Sequence, residues 1–313
     1  MQTYSVINGQ NVYDVALTLY GSIEGIFDLF INNPDLSFET VLQAGDELYW
    51  DEDYIVNSDV VDTLQNDLYI TPANGERHVY YKQVNATLRC IITIDASDAS
   101  IKLKLSGDGN MIVDWGDNTD LEEFALQSST QTYEHFFDNS VEKRVVKLYG
   151  DFNVKEWNLS SINGLLQPVM PIIVDEVVSE YNNVSLNGLF LFKDTYSVRL
   201  SGMSIDNLGF IRNMSLSDLT LTDNEYTDND VLDNYLIYIA KHNDQRRACK
   251  VIFDVAPSGI YQEPSKDANG NYDIQTGMEA VYVITHEESW NEAGSWKFDI
   301  AGTVYEYKND DIA

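Results

Sequence analysis

The fold is decided by two stretches, Val198-Arg199-Leu200-Ser201-Gly202 and Leu219-Thr220-Leu221-Thr222-Asp223-Asn224. In both, apolar residues alternate with polar ones, as is typical of a strand with one buried face. Similar short strands are expected at Val177-Val178 and at Val251-x-Phe253, so the spacings are near 20, 21 and 32 residues. Short strands at recurring spacings predict a solenoid, in which each turn buries its apolar strand against the next.

The long third spacing has room for a helix. Residues 230–241 carry apolar side chains at helical intervals, and Asp228 or Asn229 is a suitable N-cap. We therefore expect one irregular solenoid over residues 151–260. The remaining residues, 261–313, predict a β cap for its open end, with strands at Met278–Thr285 and Trp296–Tyr307.

In residues 85–150, apolar and polar side chains alternate as they do in antiparallel strands. Leu88 to Ile94, Ile101 to Leu105, Met111 to Trp115 and Arg144 to Leu148 predict a small β-sandwich. The third strand runs into the turn Val113-Asp114-Trp115-Gly116-Asp117-Asn118-Thr119, and the segment Thr132-Tyr133-Glu134-His135-Phe136 follows before the fourth strand.

The first 56 residues predict a separate strand-helix-helix-strand module. A strand at Tyr4–Ile7 precedes a helix that Asn11 can cap and Gly21 can end. A second helix begins near Ser22, with Ile23, Ile26, Phe27 and Phe30 expected to point inward, and it ends before Pro34. A last strand follows at Glu47–Trp50. Residues 57–84 are polar and acidic and predict a linker with one or two strands.

The fold class expected from these patterns is multidomain α+β. It comprises a βααβ module (1–56), a linker (57–84), an antiparallel β-sandwich (85–150), a short solenoid (151–260) and a β cap (261–313).

Residues 3–56 resemble a LysM module, and most closely the variant in the phage tail protein X family. The motifs that carry the resemblance are Tyr4-x-Val6, Gly9-Gln10, Asp14-Val15-Ala16, Tyr20-Gly21-Ser22, Asn33-Pro34-Asp35-Leu36 and Leu42-x-x-Gly45-Asp46-x-Leu48. The family usually closes with an Ile/Leu-Pro pair, whereas Tyr49-Trp50-Asp51 stands here. The turn at Trp115 resembles that of PKD-like surface domains, and the stretches at Val198 and Leu219 resemble degenerate leucine-rich repeats.

The LysM resemblance implies a site on two loops, at Gly9, Gln10, Asn32, Asn33 and Pro34. In LysM modules these loops hold chitin or peptidoglycan sugars, and in tail proteins the same loops can serve protein docking. Three interpretations therefore stay open for these residues: glycan contact, protein docking, and simple turn formation.

The composition excludes several classes of partner. With 51 Asp and Glu against 19 Lys and Arg, the formal charge is −32, which opposes binding to nucleic acid or to an anionic membrane. The 2 cysteines are too few for a disulfide scaffold or a paired-cysteine zinc site. No stretch predicts a signal peptide or a membrane span.

No motif predicts a catalytic centre, a metal site or a cofactor. The 4 histidines lack metal-ligand spacing, and nucleophile-elbow and phosphate-loop motifs are absent from the sequence. A glycosidase needs only two carboxylates, so hydrolase activity stays a minor alternative.

Asp267-x-Asn269-x-Asn271-x-Asp273 has the oxygen spacing of a calcium loop, but a hairpin turn at Asn269-Gly270 is the favoured interpretation. Asp114, Asp117 and Asp120 are expected to bond nearby backbone N–H groups.

Two functions remain, from different classes. The first is a structural or adhesive component of a phage or prophage-derived tail or baseplate, made in the host cytoplasm, present in the virion and docked to other tail or baseplate proteins through residues 1–56. The alternative is a bacterial adhesin at the cell surface that binds peptidoglycan or another glycan. Exposed Tyr133, Tyr181 and Tyr196 are candidate contacts in either case, and core packing is their alternative role.

Overall fold

The computed structural model describes residues 1–66, 72–73, 81–137, 143–242 and 246–307. The chain divides into two units, Met1–Tyr81 and Lys82–Phe137 together with Lys143–Ala313. Each unit has its own hydrophobic core.

The first unit has the predicted strand-helix-helix-strand order, followed by a further helix. Its elements are β1 (Gln2–Ser5), α1 (Val12–Tyr20), α2 (Ile26–Asn32), β2 (Glu47–Trp50) and α3 (Ser58–Asn66), with 3-10 turns at Ile23–Gly25 and Glu52–Tyr54. Strands β1 and β2 pair antiparallel.

Local sequence signals set the ends of α1 as expected. The Asn11 side chain accepts hydrogen bonds from the backbone N–H groups of Tyr13 and Asp14, and the Asp14 side chain accepts one from Asn11 N–H. At the other end, Gly21 adopts a φ of 72°, where its N–H bonds to Leu17 O. The apolar positions of α1 face the core.

Residues after β2 turn back onto α1. The backbone N–H of Val56 donates to Tyr20 O at 2.8 Å, and α3 packs against α1 with Val61 buried. The first part of the predicted linker is therefore helical. The strands expected in that linker fall on residues that lie largely outside the described ones.

The second unit contains one large sheet and a separate sheet of two short strands. Its strands are β3 (Leu88–Asp95), β4 (Ser100–Asp114), β5 (Glu122–Ala125), β6 (Gln131–Phe136), β7 (Lys143–Asn158), β8 (Gly164–Pro168), β9 (Ile172–Glu180), β10 (Val184–Ser185), β11 (Phe192–Lys193), β12 (Ser197–Ser201), β13 (Ser204–Ile205), β14 (Asp218–Thr222), β15 (Glu225–Tyr226), β16 (Lys250–Phe253), β17 (Lys297–Ile300) and β18 (Thr303–Glu306). Its helices are α4 (Val231–Lys241), α5 (Gly277–His286) and α6 (Glu288–Asn291).

Parallel pairing of β9, β12, β14, β16 and β17 produces the solenoid. Val177, Val198, Leu219 and Val251 are in register, as the sequence spacings predict, and Phe298 extends the column. All five side chains are at most 2% exposed. Since complete burial of such a side chain contributes roughly 1.5–3 kcal/mol, this column is a main source of the solenoid's stability.

Buried asparagines join neighbouring turns of the solenoid. Asn224 donates to Leu200 O at 3.0 Å and accepts from Met203 N–H at 2.9 Å. Asn182 donates to Leu159 O and Ile162 O. These amides satisfy backbone groups that turn away from the strands.

The antiparallel strands continue into the solenoid. Strand β7 pairs antiparallel with β3 and β4, and its last residues pair in parallel with β9. It therefore crosses the predicted boundary at residue 150. The two strands expected within residues 101–115 are one strand, β4, and a register shift interrupts its pairing with β7 between Ser106 and Gly107.

The C-terminal region needs one correction. Residues 278–285 were expected to form a strand but lie in α5, whereas the strands expected in 296–307 are confirmed as β17 and β18. Thr276 caps α5, and Glu279 bonds back to the cap, a signal that outweighs the short alternation. The helix expected at 230–241 is confirmed as α4, although its N-cap is Asp230.

The protein is thus mixed α+β and mostly sheet, with a solenoid-like region of about three turns. Within the residues that the structure describes, no helix is long and apolar enough to cross a membrane.

Candidate functional site

In the first predicted loop, the side chain of Gln10 forms hydrogen bonds within the unit. Gln10 is 5% exposed, its Oε1 accepts from Ile7 N–H at 2.9 Å, and its Nε2 donates to the Tyr4 hydroxyl at 2.8 Å. Gly9 adopts a φ of 84°, which the turn before α1 requires. Both residues therefore have a structural role in this turn.

The second predicted loop is tied to β2. Asn33 Nδ2 donates to Leu29 O and to Tyr49 O, each at 2.7 Å, and Asn33 Oδ1 accepts from Tyr49 N–H. Asn32 Nδ2 donates to Asp28 Oδ2 at 2.9 Å, and Pro34 is exposed. Among the described residues, no hydrogen bond connects this loop to the first one.

In and just before helix α2, an acidic side chain is buried and several large apolar side chains are exposed. Asp28 is buried, and its Oδ2 accepts from the Tyr20 hydroxyl at 2.7 Å. Burial and this hydrogen bond raise the pKa of Tyr20, so the phenol stays the donor. On the outside lie Ile23 and Phe27, which were expected to point inward, together with Ile31; their exposures are 56%, 66% and 75%. Ile26 and Phe30 do face the core.

These outward residues form one surface because they follow each other at four-residue steps. Phe38 is also 56% exposed, and its ring centroid lies 5.0 Å from that of Phe30 and 6.1 Å from that of Tyr13. We call Ile23, Phe27 and Ile31 the α2 surface. An apolar group of this kind on a domain is typical of a protein-binding face.

A cleft of about 390 Å³ also lies in the first unit. Tyr4, Gln10, Asp14 and Thr18 line one part of it, and Gln65 of α3 lines another. The predicted first loop therefore borders a concavity that α3 helps to form. Sequence analysis did not predict this cleft, because residues 57–84 were expected to be a linker.

In the second unit, the turn at Trp115 is locked by a buried pair. Asp117 is fully buried, and its Oδ2 lies 2.8 Å from His135 Nε2, while Thr119 N–H and hydroxyl donate to Oδ1. Burial alone would raise the pKa of Asp117, but the hydrogen bonds from His135 and Thr119 outweigh it and lower that pKa. The His135 ring also stacks on Trp115 at 4.7 Å. The pair therefore stabilises the turn.

The other acidic turns also bond backbone N–H groups. Asp114 accepts from Gly116 N–H and pairs with Lys82 at 2.9 Å. Asp267 accepts from the N–H groups of Asn269 and Asn271, and Lys266 pairs with Tyr272 across the hairpin, so the predicted turn is confirmed. No group of three or more potential metal ligands occurs among the described residues.

The three candidate tyrosines differ. Tyr133 is partly buried against Phe124, with ring centroids 4.5 Å apart, and Tyr196 donates to Glu176. Tyr181 is 71% exposed, and its hydroxyl bonds to Asp223 at 3.2 Å. Only Tyr181 is mainly accessible.

Comparison of the chain with protein-family models, with curated proteins and with solved structures found no match.

Proposed function

We propose that the chain is a non-enzymatic structural or adhesive component of a phage or prophage-derived tail or baseplate, and that its first unit docks it to a neighbouring tail protein. The observation that carries the docking is the α2 surface, where apolar side chains face outward and a carboxylate faces inward. The assignment to a tail rests on the resemblance of residues 3–56 to the tail protein X variant of LysM.

The geometry of the predicted loops favours docking by the helix over docking by the loop amides. Gln10 and Asn33 already use their amides within the unit. By contrast, the α2 surface has large apolar side chains that gain free energy when they leave water, at about 25 cal/mol per Å². A partner that covers α2 would therefore bind mainly through apolar contact.

The test is particle incorporation of the full chain. Phe27→Ser with Ile31→Ser should remove the protein from purified tail particles, because it deletes apolar contact area without touching the core. The matched control is Ile260→Ser, which changes a side chain that is 69% exposed in the second unit. Equal incorporation of the double variant and the control would refute the docking role of α2.

The cleft beside Gln10 favours a second candidate, a cell-surface adhesin that binds peptidoglycan or another glycan. Pull-down on purified sacculi tests it. Binding that survives in the Phe27→Ser, Ile31→Ser variant and is lost in Gln65→Ala would support the adhesin. Changes at Asn33 are unsuitable here, since its side chain holds β2 in place.

A further inference from the structure

A second cleft, of about 360 Å³, lies in the solenoid between residues 190–195 and 209–215. The first segment includes β11 and leads into β12, and the second leads into β14. Its lining combines aromatic, basic and hydroxyl side chains, including Phe190, Lys193, Thr195 and Arg247. Nothing proposed for the first unit involves it.

The cleft concentrates positive charge in an acidic protein. The chain has only 19 basic side chains and a formal charge of −32, yet Lys193 and Arg247 both line this concavity. Arg212 lines the adjoining cleft, together with Phe190. In the described part of the chain, neither Lys193 nor Arg247 takes part in an ion pair. Two unpaired cations at one concavity favour an anionic ligand.

The remaining polar groups narrow the ligand class. Asp194 and Asn213 also line the cleft and are exposed. A carboxylate beside two cations would repel a simple anion, but it can accept hydrogen bonds from ligand hydroxyls. Phe190, 66% exposed, offers an aromatic face to an apolar ligand surface. A ligand that uses all of these groups carries a negative charge, several hydroxyls and a C–H face.

Thr195 provides an independent observation. It is 3% exposed and lines the cleft, and its hydroxyl has no hydrogen-bond partner among the described residues. Buried hydroxyls are nearly always paired, so an unpaired one in the wall of this cleft supports a ligand that reaches it.

We infer that this cleft binds a saccharide that carries a carboxylate. Arg247 and Lys193 pair with the sugar carboxylate, Asp194 and Asn213 bond to its hydroxyls, Phe190 packs on the ring face, and Thr195 bonds to the group that enters deepest. The site is independent of docking by the first unit.

Saturation-transfer NMR on the full purified chain tests the inference, with glucuronic acid and N-acetylneuraminic acid as probes and glucose and N-acetylglucosamine as neutral controls. At least one acidic sugar should bind, and both neutral ones should bind at least about tenfold more weakly, the loss expected when a charge-assisted hydrogen bond is removed. Inorganic phosphate should compete poorly, because it cannot use Phe190 or Asp194. Absence of binding by both acidic sugars, equal binding of the neutral sugars, or full displacement by equimolar phosphate would overturn the inference.

Single variants distinguish a loss of binding from a loss of folding. Arg247→Gln should weaken binding about tenfold, whereas Arg199→Gln, at an exposed position of β12, should bind like the wild type. Thr195→Val keeps the shape and removes the unpaired hydroxyl, so it should weaken binding while the melting temperature is unchanged or higher. Wild-type affinity in both Arg247→Gln and Thr195→Val would refute the assignment.

Discussion

Strand β12 buries its apolar side chains, whereas helix α2 leaves two large apolar side chains exposed. In β12, Val198 and Leu200 point into the core and Arg199 points to solvent, so the strand obeys its alternation. In α2, Phe27 and Ile31 point outward while Asp28 is buried. Strand β12 thus buries the apolar residues that its alternation predicts, whereas α2 leaves two large apolar side chains exposed to solvent.

The largest effect should come from the middle of the solenoid. Leu200→Ala removes a fully buried side chain between β9 and β14 and should lower the free energy of unfolding by about 2–5 kcal/mol. Because each turn supports the next, the loss should destabilise the whole solenoid. Urea unfolding followed by circular dichroism measures it, with Arg199→Ala as the exposed control on the same strand. A change as small as that of the control would show that the solenoid does not unfold cooperatively.

The buried pair in the Trp115 turn should give a smaller effect that depends on pH. His135→Leu should lower the free energy of unfolding by about 1.5–3 kcal/mol at pH 7, because Asp117 loses its buried partner. The pKa of Asp117 is lower in the folded protein than in the unfolded chain. Its contribution is therefore complete above the unfolded pKa of about 4 and is lost as the pH falls through the folded pKa.

Thermal unfolding of the wild type and of His135→Leu between pH 7 and pH 2 should show the two melting temperatures converging in acid. Asp120→Asn, at an exposed position of the same turn, is the control. A gap that stays constant down to pH 2 would contradict the role of ionised Asp117.

Removing the amide of Asn224 should lower the free energy of unfolding less than removing a buried apolar side chain of the solenoid. Asn224→Ala leaves Leu200 O and Met203 N–H without their partner, and we expect a loss of about 1–2 kcal/mol. Hydrogen exchange should speed up at Met203 and remain unchanged in the first unit. Unchanged exchange at Met203 would indicate that water replaces the side chain.

The smallest effect on stability should follow a change at the α2 surface. Phe27→Ser should alter the free energy of unfolding by no more than about 0.5 kcal/mol, since the side chain is 66% exposed. Ile26→Ser, one residue away and 4% exposed, is the control and should destabilise the unit strongly. A large loss of stability in Phe27→Ser would show that this residue belongs to the core and would weaken the docking proposal.

The sequence by itself determined the elements whose signals are local. The alternation at Val198 and Leu219, the capping of α1 by Asn11 and the stop at Gly21 all predict structure that is present, because each depends on neighbours along the chain. The parallel register followed from spacings of 20, 21 and 32 residues, since stacked turns repeat their strands.

The remaining features depend on contacts between residues that are distant in sequence, so only the tertiary structure determined them. The alternation at 278–285 suits a strand, but these residues form a helix that packs against α4. Ile23 and Phe27 have the spacing of core residues, yet the Tyr20 hydroxyl bonds to Asp28 and so fixes which side of α2 faces inward. The cleft with Thr195 and Arg247 joins residues 52 positions apart, and no short motif records such a pairing. Side chains brought together only by packing leave no local signal, so the two clefts become visible only when the elements are assembled.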